Sequence, residues 1–439
     1  MSFALGEQTS SLITRLVGHL RIPLFRNAYA LASSSFLTSA IGMVYWVLVA
    51  RTYPTEIVGL NSAMISVMMF LGGVAQLNLA DGAIRFVPTT GQHTHRFVRA
   101  TYLISLGVAA VASLIFLSQL GRWAPSLGFL GATPLLLVWF TLSTMGWALF
   151  VMQDGVLTGL RRATWVPVEN TVFSLVKIVL MLMFVASLPT LGVFASWSVG
   201  LVITLIPTTY YIFHSLIPHH MQQAPEVRED LSLPQVARYV AGDYLGALAW
   251  LACTTLLPIL VTQLSGPAAN AYYYLSWQIS LLLIAIAGSM GSSLVVEGSS
   301  RPEALAEYSY RVLVQAALII IPLAAILVVI APYALLLFGK SYSIEGTTLL
   351  RLLAVSAIPH IVIVIYVSMA QVRRQISRII LALGLLCVLV VSLSYVLLTR
   401  IGILGVGCAW LIGQSLVAAG ILLFWFKGKH GPHAAIKEK

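Results

Sequence analysis

Apolar runs of about 20 residues recur along the whole of this chain, the length that carries a helix across a hydrocarbon core about 30 Å thick. Inside that core each backbone N–H and C=O has to be satisfied within the protein, and a helix does this within its own segment. The runs lie at 27–50, 57–80, 98–119, 133–153, 167–187, 191–213, 237–262, 268–295, 309–331, 347–370, 377–398 and 402–426. They predict an all-α polytopic membrane protein with about 12 transmembrane helices. Composition agrees, since only 9% of the 439 residues are charged, where soluble domains carry about 25%.

A formal charge of +11 would suggest a nucleic-acid partner in a soluble protein. Here it sets orientation instead, because Lys and Arg accumulate in cytoplasmic loops, and no nucleic acid is expected. With the N-terminus inside, 19 Lys and Arg residues fall in cytoplasmic segments and 5 in outer ones (Arg51, Arg122, Lys340, Arg351 and Arg400). The remaining one, Lys177, lies within a span. Both termini are therefore expected in the cytoplasm, with the chain in the cell membrane. Residues 1–26 have no signal-peptide pattern. Their Leu12, Ile13, Leu16, Val17 and Leu20 recur at helical spacing, as in an interfacial helix, and a basic tail is the alternative. Residues 427–439 form a second basic tail.

The chain also repeats itself. Residues 191–200 read LGVFASWSVG and 404–413 read LGVGCAWLIG, five identities at an offset of 213. Arg161-Arg162 and Arg373-Arg374 stand 212 apart, as do Arg99 and Arg311. Six spans per half bring both halves into the membrane with the same orientation, so two parallel six-helix lobes are expected, 27–213 and 237–426. Transporters of this kind bind substrate at the repeat interface. The segment 214–236 joins the halves. Its His214, His219 and His220 have no acidic or Cys partner at ligand spacing, so a solvated connector is expected and no metal. Cys253, Cys387 and Cys408 lie in apolar runs, which argues against a disulfide framework or metal cluster. No phosphate loop, His-Glu-x-x-His motif or nucleotide-binding domain is present, so neither an enzyme nor a cofactor is expected.

Ionisable side chains at membrane depth are costly and point to function. Lys177 lies nine residues beyond Val168, about 14 Å into the bilayer at 1.5 Å per residue. Asn170, Ser174 and Lys177 share one helical stripe, and Glu169 lies close to that face. An anion site in a central cavity and a lysine neutralised by a neighbouring carboxylate are both open readings. Asp243 is the candidate partner, on a stripe with Tyr239, Gly246, Trp250 and Thr254, and it also suits proton coupling. Asp81 and Arg85, at i and i+4, make either a helix-end pair or a cavity mouth, and Glu297 ends span eight in the matching place. Arg51 ends span one on the outer side, where snorkelling accounts for it. Tyr272, Tyr273, Tyr274 and Trp277 open span eight as an aromatic belt, with sugar stacking as the alternative. At offset 212 the counterpart of Lys177 is Leu389.

Three stretches resemble a known family: Asn27 to Pro88, with Trp46 to Arg51, Gly59 and the IRFVP at Ile84 to Pro88; QDGVLTGLRRATWVPVEN, from Gln153 to Asn170; and LLLFGKSYS, from Leu335 to Ser343, followed by a span ending in AQVRRQ. They are similar to the polysaccharide and oligosaccharide-lipid flippases of the multidrug/oligosaccharidyl-lipid/polysaccharide (MOP) exporter superfamily. The resemblance implies a MATE-like, V-shaped bundle of two lobes whose central cavity opens alternately to each side. It implies a polyprenyl-phosphate-linked glycan as substrate, turned between leaflets, with H+ or Na+ as a coupling ion and glycan-assembly enzymes as partners. By position it puts Arg51, Arg85 and Asp243 in cavity-lining spans. Lys177 falls in a second-layer span, which favours pairing or gating, with Glu169, Asn170, Asp243 and Glu297 as the other coupling candidates. Asp81 and Trp250 complete the cavity candidates. Sparse cavity arginines argue against a peptidoglycan lipid. A cation-coupled multidrug exporter of the same superfamily is the alternative. A membrane-embedded glycan polymerase or ligase would need a large outer loop with catalytic carboxylates. The longest outer loop expected, Pro332 to Gly346, holds Glu345 alone.

Overall fold

The computed structural model describes residues 23–223 and 233–427, with side chains described from 38 to 222 and from 244 to 425. The N-terminal interfacial helix, residues 224–232 of the connector and the tail beyond 427 lie outside the described residues. Twelve long helices follow in order: α1 Pro23–Thr52, α2 Thr55–Ala75, α3 Thr94–Ser118, α4 Pro134–Gly159, α5 Trp165–Ser187, α6 Gly192–Tyr211, α7 Leu233–Ser265, α8 Pro267–Ser300, α9 Leu305–Leu336, α10 Lys340–Val372, α11 Ile376–Ile401 and α12 Leu404–Lys427. Eleven of them, α2 to α12, are long and apolar enough to cross a membrane among the described residues, and α1, with 30 residues, makes the twelfth.

In the first half α1 packs on α5, α5 on α6, α3 on α4, and α4 on α2 and α6. In the second, α7 packs on α11, α8 on α9 and α10, and α12 on α10 and α11. Helix α2 joins the halves by packing along both α7 and α8. Lipid tails are as apolar as leucine, so helices in a bilayer associate through close approach and interhelical hydrogen bonds. The α2–α8 contact uses both. A methyl group at Gly59 would lie 1.7 Å from the Pro267 carbonyl oxygen, so only glycine fits. Beside it Asn270 donates to the Gly59 carbonyl (2.7 Å) and to Ser62 Oγ (3.1 Å).

Four sequence expectations change. The second span was expected to run to residue 80, but α2 ends at Ala75. Leu77 and Asn78 then take left-handed φ of 50° and 57°, and a separate short helix, Leu79–Phe86, carries Asp81 and Arg85. The expected outer loop Pro332 to Gly346 is almost entirely helical, with only residues 337–339 between α9 and α10. Pro332 has no N–H for the Val328 carbonyl four residues earlier, and Arg351 Nε donates to that carbonyl at 3.0 Å, while Ser343 Oγ donates to the Pro332 carbonyl at 2.8 Å. The connector is helical over its first residues, π-wound at Ile212–Leu216 and α-helical at Ile217–Gln223.

The fourth change concerns the paired arginines. Helix α4 runs through Asp154 and ends in a Schellman cap: Arg161, at φ 60°, donates to the Thr158 carbonyl and Arg162 donates to that of Leu157. Helix α10 ends in the same way, with Arg374 at φ 54° donating to Gln371 and Gln375 donating to Ala370. Arg161 therefore matches Arg374, an offset of 213 like that of the two Trp-containing motifs. On this register the counterpart of Lys177 is Val390, not Leu389, and that of Glu169 is Ala382.

Candidate functional site

Between the halves lies a cavity of about 510 Å³, bounded by α2, α4, α7 and α8. Its lining is aromatic and amide-bearing, with Trp147, Trp250, Tyr274 and Trp277 facing Gln76 and Gln278. No Lys, Arg, Asp or Glu lines it among the described residues. The aromatics are backed by the Trp of the second repeat motif: Trp410 stacks on Trp277 at 4.6 Å and meets Trp250 edge-on at 6.1 Å, while His360 stacks on Trp250 at 5.3 Å. On the side of the Gly59–Pro267 contact the lining ends at Ser66 and Tyr274, and Trp46 meets Tyr274 across the halves at 4.8 Å. At the other end it reaches Gln76 and Asn78, where Tyr244 donates to the Val74 carbonyl at 2.7 Å.

Of the sequence candidates, Trp250 is a cavity residue. Arg51 is exposed beyond the sealed end and donates to the Leu336 and Leu337 carbonyls at 2.7 and 2.9 Å, capping α9 from the other half. Asp81, Arg85 and Glu297 are exposed near helix ends, and none of them is among the cavity-lining residues. Asp243 belongs to α7, with its side chain outside the described residues. Helix α7 packs on α2, α8 and α11, whereas α5, which carries Lys177, packs on α1, α4 and α6.

Lys177 is 6% exposed. Its ammonium lies over three aromatic rings, 4.3 Å from the Trp197 centroid and 4.9 Å from those of Tyr45 and Phe173. Among the described residues no carboxylate makes an ion pair with it. The cage joins three helices, α1, α5 and α6. Tyr45 is held by Ser196 Oγ at 2.9 Å, and Phe173 meets Trp197 edge-on at 5.6 Å. The ring faces are negative, so they stand in for a counter-ion without adding a charge.

Two helical turns back toward the start of α5, about 12 Å by helical rise, lies a second polar cluster. Glu169 is buried between α4, α5 and α6. In the amide orientation that satisfies its neighbours, Gln153 donates to Glu169 Oε1 at 2.6 Å and accepts from Thr209 Oγ1 at 2.8 Å. Glu169 Oε2 and Asp154 Oδ1 are buried with no hydrogen-bond partner among the described residues. Asn170 donates to the Val166 carbonyl at 3.0 Å and also reaches Asp154.

Sequence reasoning singled out Lys177, Glu169, Asn170 and Trp250 as candidates, of which the structure buries Lys177 and Glu169 on α5 and puts Trp250 on the cavity wall. It missed the cage rings, Gln153, and the amides of the central cavity. Phe173 stands at i−4 from Lys177, and Trp197 is one of the five identities between the motifs, so both carried a signal.

Three comparisons bear on this arrangement. Residues 24–296 match the model of a family described as polysaccharide biosynthesis protein. No curated protein sequence matches the chain. Among solved structures, the fold is similar to the inward-facing conformation of a multidrug resistance MATE family transporter of the MOP superfamily, at 16% identity, TM-score 0.69, over 88% of this chain and 93% of that one. It is also similar to an outward-facing conformation of such a transporter, at 15% identity and TM-score 0.63, over 90% and 94%. A MOP superfamily transporter from Pyrococcus furiosus, with a binding pocket of reverse polarity, matches at 15% identity and TM-score 0.59, over 90% and 91%. At these identities the likeness shows the fold alone, which is MATE-like, and it is higher for the inward-facing conformation.

Proposed function

We propose, from the premise that this chain belongs to the polysaccharide biosynthesis protein family, that it turns a lipid-linked glycan precursor across the cytoplasmic membrane by alternating access. The observation that carries this reading is the cavity between the halves, aromatic and amide-bearing and, among the described residues, uncharged. Ring faces suit the C–H faces of sugars, and amides supply both donors and acceptors to hydroxyl groups. Transporter sites at repeat interfaces suit rocking of one half against the other. Under the orientation set by the Lys and Arg distribution, the sealed Gly59–Pro267 end is the outer end, and the cavity faces the cytoplasm, where a glycan assembled on a polyprenyl phosphate would enter. Helix α5 carries the two features suited to coupling or gating, the caged Lys177 and the Glu169–Gln153 pair. Both sit outside the cavity, where a proton or Na+ could bias packing without competing with the sugar.

The test is leaflet exchange of a polyprenyl-phosphate-linked oligosaccharide in vesicles containing the purified protein. Exchange above that of protein-free vesicles, reduced by Trp250→Ala, supports the reading. Export of cationic dyes with no glycan exchange would overturn it in favour of a multidrug exporter.

A further inference from the structure

A second concave region lies on the outer face of the first half, away from the central cavity. A crevice of about 300 Å³ runs between α5 and α6, lined by Trp165, Val168, Val172, Thr204 and Pro207. From Trp165 to Val172 it extends about 10 Å along α5. Trp165, Val168 and Val172 are all exposed, so its open side faces the lipid. Tyr211, tilted at 46° against Trp165 with ring centroids 4.8 Å apart, closes the crevice toward the helix end and also lines an adjoining polar pocket of about 440 Å³. That pocket holds Arg162, His214, His219, Ser215 and Gln222.

Local backbone builds this polar pocket. The Schellman cap orients Arg162, and the π-wound Ile212–Leu216 turns the chain so that His214 is exposed, stacked on Tyr210 at 4.2 Å. Glu169 borders the crevice, but its Oε2 is closed off from the surface, so only its stem faces the groove. The second half lacks this feature. On the 213 register Trp165 becomes Arg378 and Tyr211 becomes Phe424. Arg378 lies over the Phe424 ring at 5.4 Å, and the space left beside them is about 10 Å³. The open pocket is thus a property of the first half and not of the repeat.

We infer that this groove is a binding site for an anionic glycerophospholipid, its phosphate held by Arg162, His214 and His219 and one acyl chain laid along Trp165, Val168 and Val172. A polar pocket at a helix end that holds Arg162 beside two histidines, with an apolar channel leading toward the bilayer centre, matches the headgroup and chain of an amphiphile. Basic pockets between transmembrane helices at the cytoplasmic interface take anionic lipid headgroups in this way. Because the crevice is open along its lipid side, it fills by mass action from the surrounding leaflet, where such lipids are abundant. The assignment does not depend on what crosses the central cavity.

The test is native mass spectrometry of the purified full chain titrated with phosphatidylglycerol. Wild type, Arg162→Ala, the combined His214→Ala/His219→Ala variant and Val168→Trp are compared, with the exposed Arg96→Ala as a charge-matched control. Apparent affinity is expected to fall about fivefold in Arg162→Ala, to fall also in the combined His214→Ala/His219→Ala variant, and not to change in Arg96→Ala. Val168→Trp is expected to weaken binding of long-chain lipid while leaving a dihexanoyl analogue unchanged. Equal losses in Arg162→Ala and Arg96→Ala would overturn the site. Displacement of bound lipid by inorganic phosphate at equimolar concentration would show a free-anion pocket instead, and preferential retention of a polyprenyl phosphate over phosphatidylglycerol would reassign its occupant.

Discussion

Lys177 offers the sharpest test of whether a buried charge serves stability or function. Taking an ammonium out of water costs several kcal/mol after relaxation. The three ring faces at 4.3–4.9 Å return about 0.5–2 kcal/mol apiece, so the cage roughly cancels the burial cost and leaves little net stabilisation. Methionine has nearly the same length, needs no solvation, and its sulfur packs well against aromatic rings. Lys177→Met is therefore expected to leave the melting temperature unchanged or raise it by on the order of 1–3 °C. The same change is expected to lower leaflet exchange of lipid-linked glycan at least about tenfold, since a stability-neutral buried charge is retained for what it does. Thermal unfolding in detergent and vesicle exchange on the same preparation read the two effects separately. A variant that melts several degrees lower yet transports normally would refute the reasoning and make the ammonium a structural group.

Three further outcomes follow from the geometry. Gly59→Val puts a side chain into the Pro267 backbone, so the outer seal should fail to form; spin-label distances across α2 and α8 should widen, and an unchanged distribution would contradict the contact. Glu169→Gln keeps an acceptor for Gln153 but removes the charge, so stability should change little while any dependence of transport on a proton gradient disappears; retained gradient dependence would exclude Glu169 from coupling. Arg51→Ala removes two hydrogen bonds that tie the halves together at the sealed end, worth about 1–3 kcal/mol together, and should shift the resting population toward the outward-open state in the same distance measurement.

The helices were legible because each is a local property: about 20 apolar residues suffice to commit a segment, and all twelve appear close to the expected limits. The errors arose where local signals were mild. Gln76 to Asn78 contain no Gly or Pro, yet the backbone there breaks α2 through left-handed Leu77 and Asn78. Pro332 and Gly339 look like loop punctuation, but only Gly339 breaks the helix, because Arg351 supplies the Val328 carbonyl with the donor that Pro332 lacks. The site was legible in part. Lys177 and Glu169 stood out as charges in an apolar chain, whereas the cage depends on α1 and α6 meeting α5, a long-range fact that no stretch of sequence states. The central cavity was the hardest to read, since its tryptophans and glutamines differ from ordinary packing and interface residues only once α2, α4, α7 and α8 enclose them.

That no ionised side chain lines that cavity among the described residues has an electrical consequence. Each elementary charge that crosses the membrane field exchanges about 2.3 kcal/mol per 100 mV. When the empty cavity reorients, its described lining moves no charge through that field and adds no voltage dependence to the unloaded return stroke. A load bearing phosphate moves outward from a negative interior, down the electrical gradient. The membrane potential then favours the loaded stroke, and directionality can come from the cargo's own charge.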